Sequence, residues 1–578
     1  MHDTIIRGGT VVDGTGAPRR TADVAIDGGT ITAVGRVAGG VRRTIDAGGL
    51  LVTPGFVDIH THYDGQATWD PLLTPSFWHG VTTVVMGNCG VGFAPAAPER
   101  RQWLIGLMEG VEDIPGTALA EGIDWQWETF PEYLDALERK PHAIDVGAQI
   151  AHGAVRAYVM GERGARNQPA TPADIARMAA IVREAVQAGA LGFSTSRTLV
   201  HVAIDGEPVP GTFAAEDELM AFGRVLGELG RGVLEVAPAG VVGEDLSAPE
   251  KEMAWMRKVS AATGCPITFL LGQHNGDPAA WRRMLALCEQ GAAEGARIYP
   301  QVFGRPTNIL FSFLGISPFG RYPSFAAISS LPFDQQLARL RDPAFKARLL
   351  AEEDPNDDVF KLLMSSPWGK VYVLGDPPSY EPDPEQCLAR LAARAGRDPL
   401  EMAYDLMLED DGRAFLLFAI TGYADGHLEA VRTMLLHPQS AIGAGDGGAH
   451  CRAICDAGVP TFMLTHWGRD RVRGERLPLE WLVRKQTHDT ARLFGLDDRG
   501  LLAPGMKADV NLIDFEGLRA HVPRIIFDLP GGAPRLMQTA EGYRATLVAG
   551  EVVAENGVAT DARPGRLVRG GRCATRRR

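Results

Sequence analysis

The chain opens on short runs of alternating apolar and polar residues broken by glycine and aspartate: Thr4-Ile5-Ile6, Gly8-Gly9, Thr10-Val11-Val12, Val24-Ala25-Ile26 and Thr30-Ile31-Thr32-Ala33-Val34. β-Branched runs between such turns predict a small antiparallel sheet at this end. The same pattern returns over 508–513, 545–548 and 551–553. The two ends are therefore expected to pair into one β-sandwich domain, built from residues 1–52 and 500–578, with residues 53–499 inserted between its halves.

Inside that insertion the pattern changes to apolar runs alternating with segments of helical spacing. The runs lie near 55–60, 82–88, 145–151, 190–195, 232–237, 266–272, 297–302 and 441–446. Between them Thr171-Pro172 reads as a helix cap and first turn, with Asp174 close behind and Ile175, Met178, Ala179, Val182 and Val186 on one face. Segments 216–229 and 278–294 look similar. Strands alternating with helices predict an α/β fold with a parallel sheet and right-handed crossovers. Eight strands is the number that a closed (β/α)8 TIM barrel needs. The seventh and eighth runs are separated by roughly 140 residues, far beyond an ordinary connection. The insertion, about 304–425, is first rich in proline and aromatic residues (Pro318, Phe319, Tyr322, Pro323, Phe325) and then helical. It reads as a cap over the barrel mouth, or else as a packing or dimer element.

Composition narrows the picture. A chain of 578 residues exceeds one ordinary core, and 45% hydrophobic with 22% charged residues is the balance of a globular protein. No run of about 18 apolar residues occurs, so no transmembrane helix is expected. The start, Met1-His2-Asp3-Thr4, has no basic or apolar leader region. A net charge of −13 argues against nucleic acid as a partner, and Arg576-Arg577-Arg578 reads as a frayed end. Seven scattered cysteines suit a reducing cytoplasm, and Cys451 and Cys455 have no matching pair for a zinc finger. Nothing in the sequence fixes the oligomeric state; a homo-oligomer remains open.

The candidate chemistry sits at the strand ends. Gly55-Phe56-Val57-Asp58-Ile59-His60-Thr61-His62 is a short strand closing in two histidines. Residues i and i+2 of a strand share a face, so His60 and His62 point one way, as metal ligands or as hydrogen-bonded core residues. In such barrels function collects at the C-terminal ends of the strands. Reading those ends gives Cys89, His152, Ser194 with Arg197, Glu235, Gln273 with His274, Gln301 and Asp446. Asp446, in a glycine-rich run, could bind metal and take a proton from the attacking water, or cap a turn. Cys89, in Gly87-Asn88-Cys89-Gly90, is a metal thiolate or a small buried hydrophobe.

Gly87-Asn88-Cys89-Gly90 following Val81-Thr82-Thr83-Val84-Val85 resembles the D-aminoacylase branch of the amidohydrolase superfamily, the N-acyl-D-amino-acid deacylases. Ala151-His152-Gly153-Ala154-Val155-Arg156, Gly189-Ala190-Leu191-Gly192-Phe193-Ser194-Thr195 and Leu502-Ala503-Pro504-Gly505-Met506-Lys507-Ala508-Asp509 extend the resemblance along nearly the whole chain. In that branch the cysteine replaces a bridging carboxylated lysine. The superfamily also supplies one histidine each from strands five and six, where Ala237 and Leu271 stand here. His274 lies beyond the strand end, and Glu235 is a substitute ligand or a buried hydrogen-bonded glutamate. The resemblance then implies one zinc ion held by His60, His62 and Asp446 with Cys89 nearby, a second ion being unexpected. It implies hydrolysis of an N-acyl-(D-)amino acid, with Asp446 as base. His152 either polarises the substrate carbonyl or is structural. A substrate carboxylate wants a guanidinium fork, for which Arg452, Arg197 and Arg305 compete, with Ser194 as a further contact. Hydrolysis of a cyclic amide or an ester, or a ligand-binding barrel without catalysis, are the alternatives.

Overall fold

Eight parallel strands follow one another around the middle of the chain in sequence order. They are Phe56–Asp58, Val81–Met86, the third made of Asp145–Ala148 and Ile150–Ala151, Gly192–Ser196, Val233–Ala237, Ile267–Leu271, Ile298–Phe303 and Ala441–Gly443. The first and last meet just beyond their ends, where Thr61 and Gly447 form a parallel bridge. There the His62 N–H donates to Gly447 O at 2.8 Å and the Asp446 N–H to His60 O at 3.0 Å. The ring is a (β/α)8 barrel, described in a computed structural model over residues 1–353, 367–443 and 445–570. Ala444 and the tail Arg576-Arg577-Arg578 lie outside the described residues.

Apart from Tyr299 and Phe303 on the seventh, the strands are buried, because helices cover the outer face and side chains fill the inner one. The helix Pro172–Ala188 shows how local sequence sets an element: Thr171 Oγ1 accepts the Asp174 N–H at 3.2 Å while Asp174 Oδ2 accepts the Thr171 N–H at 2.9 Å. Two otherwise orphaned donors are satisfied reciprocally. Met178, Val182, Ala185 and Val186 then face the core.

The two ends of the chain share one nine-stranded sheet. His2–Val11, Arg20–Asp27, Thr30–Gly35, Val41–Asp46 and Leu51–Pro54 come from the start, and Val510–Ile513, Tyr543–Val548, Glu551–Glu555 and Val558–Ala559 from the end. The seam is the antiparallel pairing of Leu51–Pro54 with Val510–Ile513. The antiparallel expectation for the N-terminal part needs correction, since His2–Val11 pairs in parallel with both Val41–Asp46 and Leu51–Pro54. One side of that first strand is taken by Arg20–Asp27. The chain therefore returns along the other side on its way to the barrel, and enters it in parallel. Residues 565–570 leave this sheet and run back along the third barrel strand. Leu567 bridges Val146, and the Val568 N–H reaches Val146 O at 2.7 Å.

Within the long insertion, Asn308–Phe311, Leu416–Ala419 and Val371–Val373 form a small antiparallel sheet. An aromatic cluster of its own includes Phe313, Phe319, Tyr322, Phe325 and Tyr404. This unit seats on the loop after the eighth strand, with Leu310 N–H donating to Ala453 O at 2.7 Å and Ile316 N–H to Arg452 O at 3.2 Å. No helix among the described residues is long and apolar enough to cross a membrane. The six described cysteines are all buried.

Barrel and sheet are tied by a buried ionic cluster. Asp145 on the third strand meets the Arg499 guanidinium and, at 2.6 Å, Lys507 Nζ, while Arg499 also reaches Thr83 Oγ1 at 2.9 Å. Removing one member of such a cluster leaves buried charge uncompensated, which typically costs about 3–5 kcal/mol. Asp145→Ala is therefore expected to lower the unfolding free energy by about 3–5 kcal/mol, read as a lower urea midpoint of unfolding; an unchanged midpoint would rule out this anchoring role.

Candidate active site

The mouth of the barrel gathers its chemistry where the first and eighth strands close. His60 Nε2 lies 3.3 Å from Cys89 Sγ and 3.4 Å from Asp446 Oδ1, and His62 Nε2 lies 3.7 Å from the same oxygen. Ligand atoms of His60, His62 and Cys89 all fall within 4.8 Å of one another. The two imidazoles and the thiol are buried, and Asp446 is 13% exposed at its side chain.

Each member is held from behind. His60 Nδ1 sits 3.0 Å from Gln301 Oε1 on strand seven, which accepts the Nδ1 proton and leaves Nε2 facing the cluster. Cys89 is aimed by its loop. Asn88 Nδ2 donates to Thr61 O and Val85 O at 3.0 Å each, and its Oδ1 accepts from Gln149 Nε2 at 2.7 Å. Both flanking glycines are required: a Cβ on Gly87 would stand 2.2 Å from Gln149 O, and one on Gly90 would stand 2.6 Å from Ser196 N. Cys89, Asp446 and His450 all adopt left-handed backbone (φ 54°, 46° and 52°), a strained conformation that clusters at functional sites.

The electrostatics suit a cation. Burial, together with the neighbouring His62 imidazole, pushes His60 down to about 4 against the pull of Asp446. At His62 burial is outweighed by the Glu112 and Asp446 carboxylates, which raise the imidazole to about 9. Burial opposes the charge on Asp446 as well, yet His62, His60 and His450 hold its carboxyl well below the usual range. Burial and the nearby carboxylates of Glu235 and Glu112 lift the Cys89 thiol above its ordinary value, so a metal ion would have to displace its proton. Two imidazoles and a thiol within 4.8 Å of one another, with the Asp446 carboxylate 3.4 Å from one imidazole and 3.7 Å from the other, fit a divalent ion of intermediate softness. A buried His62 Nδ1 and Glu235 Oε1 without hydrogen-bond partners mark the same region as incomplete in the protein alone.

Other candidates from the sequence stand elsewhere. His152 is buried behind the barrel wall, with Nδ1 2.9 Å from Thr195 Oγ1 and Nε2 2.7 Å from Glu218 Oε1. Its ring packs between Phe193 and Phe222. Both nitrogens are engaged, which favours the structural over the carbonyl-polarising alternative for His152. Ser194 Oγ accepts the Gly90 N–H at 3.1 Å, bracing the Cys89 loop rather than opening to substrate. Arg197 is locked by Glu252, at 2.9 Å and 3.1 Å, and by Ala214 O. Arg305 is buried against Asp456 at 3.0 Å and over the Tyr380 ring at 3.8 Å, with Nη1 lacking a partner. Arg452 is half-exposed, with Nε and Nη2 on Asp113. His274 lies in the loop after strand six, where Nδ1 accepts the Asp277 N–H at 3.1 Å. Glu235 does reach the centre: its Oε2 accepts the Cys89 N–H at 2.9 Å.

Three residues that sequence reasoning did not assign lie around the cluster: Glu112, His201 and His450. Glu112, at the end of the helix Arg101–Glu112, has Oε1 3.4 Å from His62 Nδ1 and Oε2 3.7 Å from His450 Nε2. His201, in the loop after strand four, has Nδ1 2.9 Å from Ser196 Oγ. Burial and the imidazoles of His450 and His62 push His201 down to about 3. The available signals were His450, four residues after Asp446, and a glutamate at a helix C-terminus, where the backbone dipole disfavours an acid.

Residues 43–554 match the Amidohydrolase family. The chain belongs to that family. Among amidohydrolases it is 30% identical to the N-acyl-D-glutamate deacylase of Alcaligenes xylosoxydans xylosoxydans, over 98% of this chain and 96% of the relative. It superposes on a crystal structure of D-aminoacylase, a protein that defines a novel subset of amidohydrolases, with TM-score 0.65 and 26% identity, over 98% of this chain and 100% of that one. A second D-aminoacylase structure, from work on its binuclear metal center with one-metal activation and second-metal attenuation, gives TM-score 0.66 at 25% identity, over 98% and 100%. Membership makes the protein a metal-dependent hydrolase of carbon–nitrogen bonds.

Burial raises the Glu235 carboxyl to about 8, against the Cys89 N–H that favours its charge. The unfolded chain has a glutamate near 4.3. The folded, metal-free protein thus binds this proton more tightly; the stabilisation is complete below about pH 4.3 and lost as pH rises through about 8. In chelator-treated protein, Glu235→Gln should match wild type near pH 5 and melt about 2 °C or more above it at pH 9. Parallel melting curves across that range would contradict the buried neutral carboxyl.

Proposed function

We propose that the protein deacylates N-acyl-D-amino acids, using one zinc ion held by His60, His62, Cys89 and Asp446. The observation that carries this reading is the convergence of the strand-one imidazoles and Cys89 Sγ within 4.8 Å, with Asp446 Oδ1 3.4 Å from His60, at an amidohydrolase barrel mouth. The substrate class is supported by the deacylase relative that matches nearly end to end. A bound zinc ion would lower the pKa of a water and polarise the amide carbonyl.

The chain's own residues supply the rest. The Asp446 carboxylate stays ionised because three imidazoles surround it, so it can accept a proton from the attacking water and hand it to the leaving amine. Gln301 keeps His60 in one tautomer, with Nε2 inward. For the substrate carboxylate we assign Arg452. It is half-exposed on the loop following Asp446, and if it turns away, the Asp113 carboxylate, 18% exposed, still accepts the Arg452 backbone N–H. Arg305 cannot turn away, since leaving Asp456 would orphan a buried carboxylate. A single ion is the expectation because Ala237 and Leu271 offer no ligand from strands five and six.

The test is a panel of N-acetyl-D- and L-amino acids assayed for released amine, with zinc counted per chain. Amine release from D-substrates and about one zinc per chain are expected. Asp446→Asn keeps the shape but removes the base, and should cut turnover by about 10²–10⁴-fold. Near-normal turnover in that variant, or two tightly bound ions in wild type, would contradict the reading.

A further inference from the structure

The geometry points to Glu112 as a positioning residue for the metal centre, one that fixes the His62 ring through its second nitrogen. This rests on the proposed metal reading. The two histidines just beyond the end of strand one are held asymmetrically. His60 has its rear nitrogen, Nδ1, held at 3.0 Å by Gln301 Oε1. His62 has its Nδ1 buried and without a hydrogen bond, and the polar atom it faces is Glu112 Oε1 at 3.4 Å, itself buried and unpartnered. Two buried, complementary, unsatisfied atoms side by side are costly unless they meet in the working state. A metal-ligating imidazole almost always donates its other N–H to a carboxylate, carbonyl or water. Here Nε2 faces Asp446 and the cluster, so Nδ1–H is the donor and Glu112 the acceptor.

The placement of Glu112 is otherwise hard to explain. It is a glutamate 2% exposed, on the last residue of the helix Arg101–Glu112, where the helix dipole opposes a negative charge. Asp113 follows in left-handed backbone (φ 51°) and ends the helix. The pair is then clamped to the loop after Asp446. The His450 N–H donates to Glu112 O, the Cys451 N–H to Asp113 O at 3.3 Å, and the Arg452 N–H to Asp113 Oδ2 at 2.9 Å. The clamp fixes the glutamate's backbone from the strand-eight side while its carboxylate faces the strand-one side. Glu112 thereby links the two strands whose closure builds the site, and its other oxygen, 3.7 Å from His450 Nε2, keeps it from swinging away.

The experiment compares zinc affinity, by competition with a chromophoric chelator, in full-length wild type, Glu112→Ala, Glu112→Gln and Asp113→Asn, with the melting temperature of each metal-free protein. Asparagine tolerates left-handed backbone, so Asp113→Asn loosens the clamp without touching the carboxylate that faces His62. Glu112→Ala should bind zinc about 10–100-fold more weakly, with its metal-free melting temperature no lower than that of Asp113→Asn. Glu112→Gln, whose amide oxygen can still accept the N–H but without charge, should fall about three- to tenfold. Asp113→Asn should stay within about twofold of wild type. Wild-type affinity in Glu112→Ala overturns the assignment of Glu112 alone; if that variant does not fold, wild-type affinity in Glu112→Gln does the same. A wild-type protein that takes up no zinc overturns the metal reading, and this assignment with it.

Discussion

The structure depends on the seam where the barrel closes. A ring of eight parallel strands has one place where the last strand must find the first, and here that place is carried by the backbones of His60, Thr61, His62, Asp446 and Gly447. The same residues carry the side chains of the candidate site. Barrel closure and site assembly are therefore one event. The hydrogen bonds that bring Asp446 N to His60 O also set Asp446 Oδ1 3.4 Å from His60 Nε2. Left-handed backbone at Asp446 and Cys89 has a structural cost that such closure can bear, because neither loop is free to relax.

Around the seam, successive layers restrict what each group can do. Gln301 and Glu112 stand behind the histidines, Asn88 and Ser194 behind the cysteine, and Glu235 beside it. The 308–419 unit and the tail over the third strand add distant contacts. The first presses on the loop that bears His450 and Arg452, and the second braces the strand that bears Asp145. Carboxylates alternate with the imidazoles at the cluster, Glu112 beside His62 and Asp446 beside both His60 and His62, an arrangement that favours a cation over a neutral ligand.

Much of this was legible in the sequence, for physical reasons that differ by residue. The strands announced themselves because parallel strands buried on both faces are continuous apolar runs. His60 and His62 stood out because residues two apart on a strand must share a face. Cys89 could be read from Gly87-Asn88-Cys89-Gly90 only through family resemblance, since a lone cysteine carries no spacing signal. The parallel strand Val41–Asp46 escaped notice because most of it is exposed and polar, with no alternation to reveal it. For His152 and Arg197 the sequence leaves the structural and functional readings open, because their partners, Glu218 and Glu252, sit on outer helices dozens of residues away. Glu112 is hidden for the same reason: its approach to His62, between a helix end and the segment after strand one, is a contact that no local pattern encodes.

The central claim is that one metal ion sits among sulfur, imidazole and carboxylate donors at the barrel seam. X-ray absorption at the zinc edge of protein purified with zinc tests this without reference to turnover. One sulfur neighbour at about 2.3 Å, from Cys89, is expected with two or three nitrogen or oxygen neighbours at about 2.0–2.1 Å. A spectrum with no sulfur neighbour, or with sulfur alone, would contradict it.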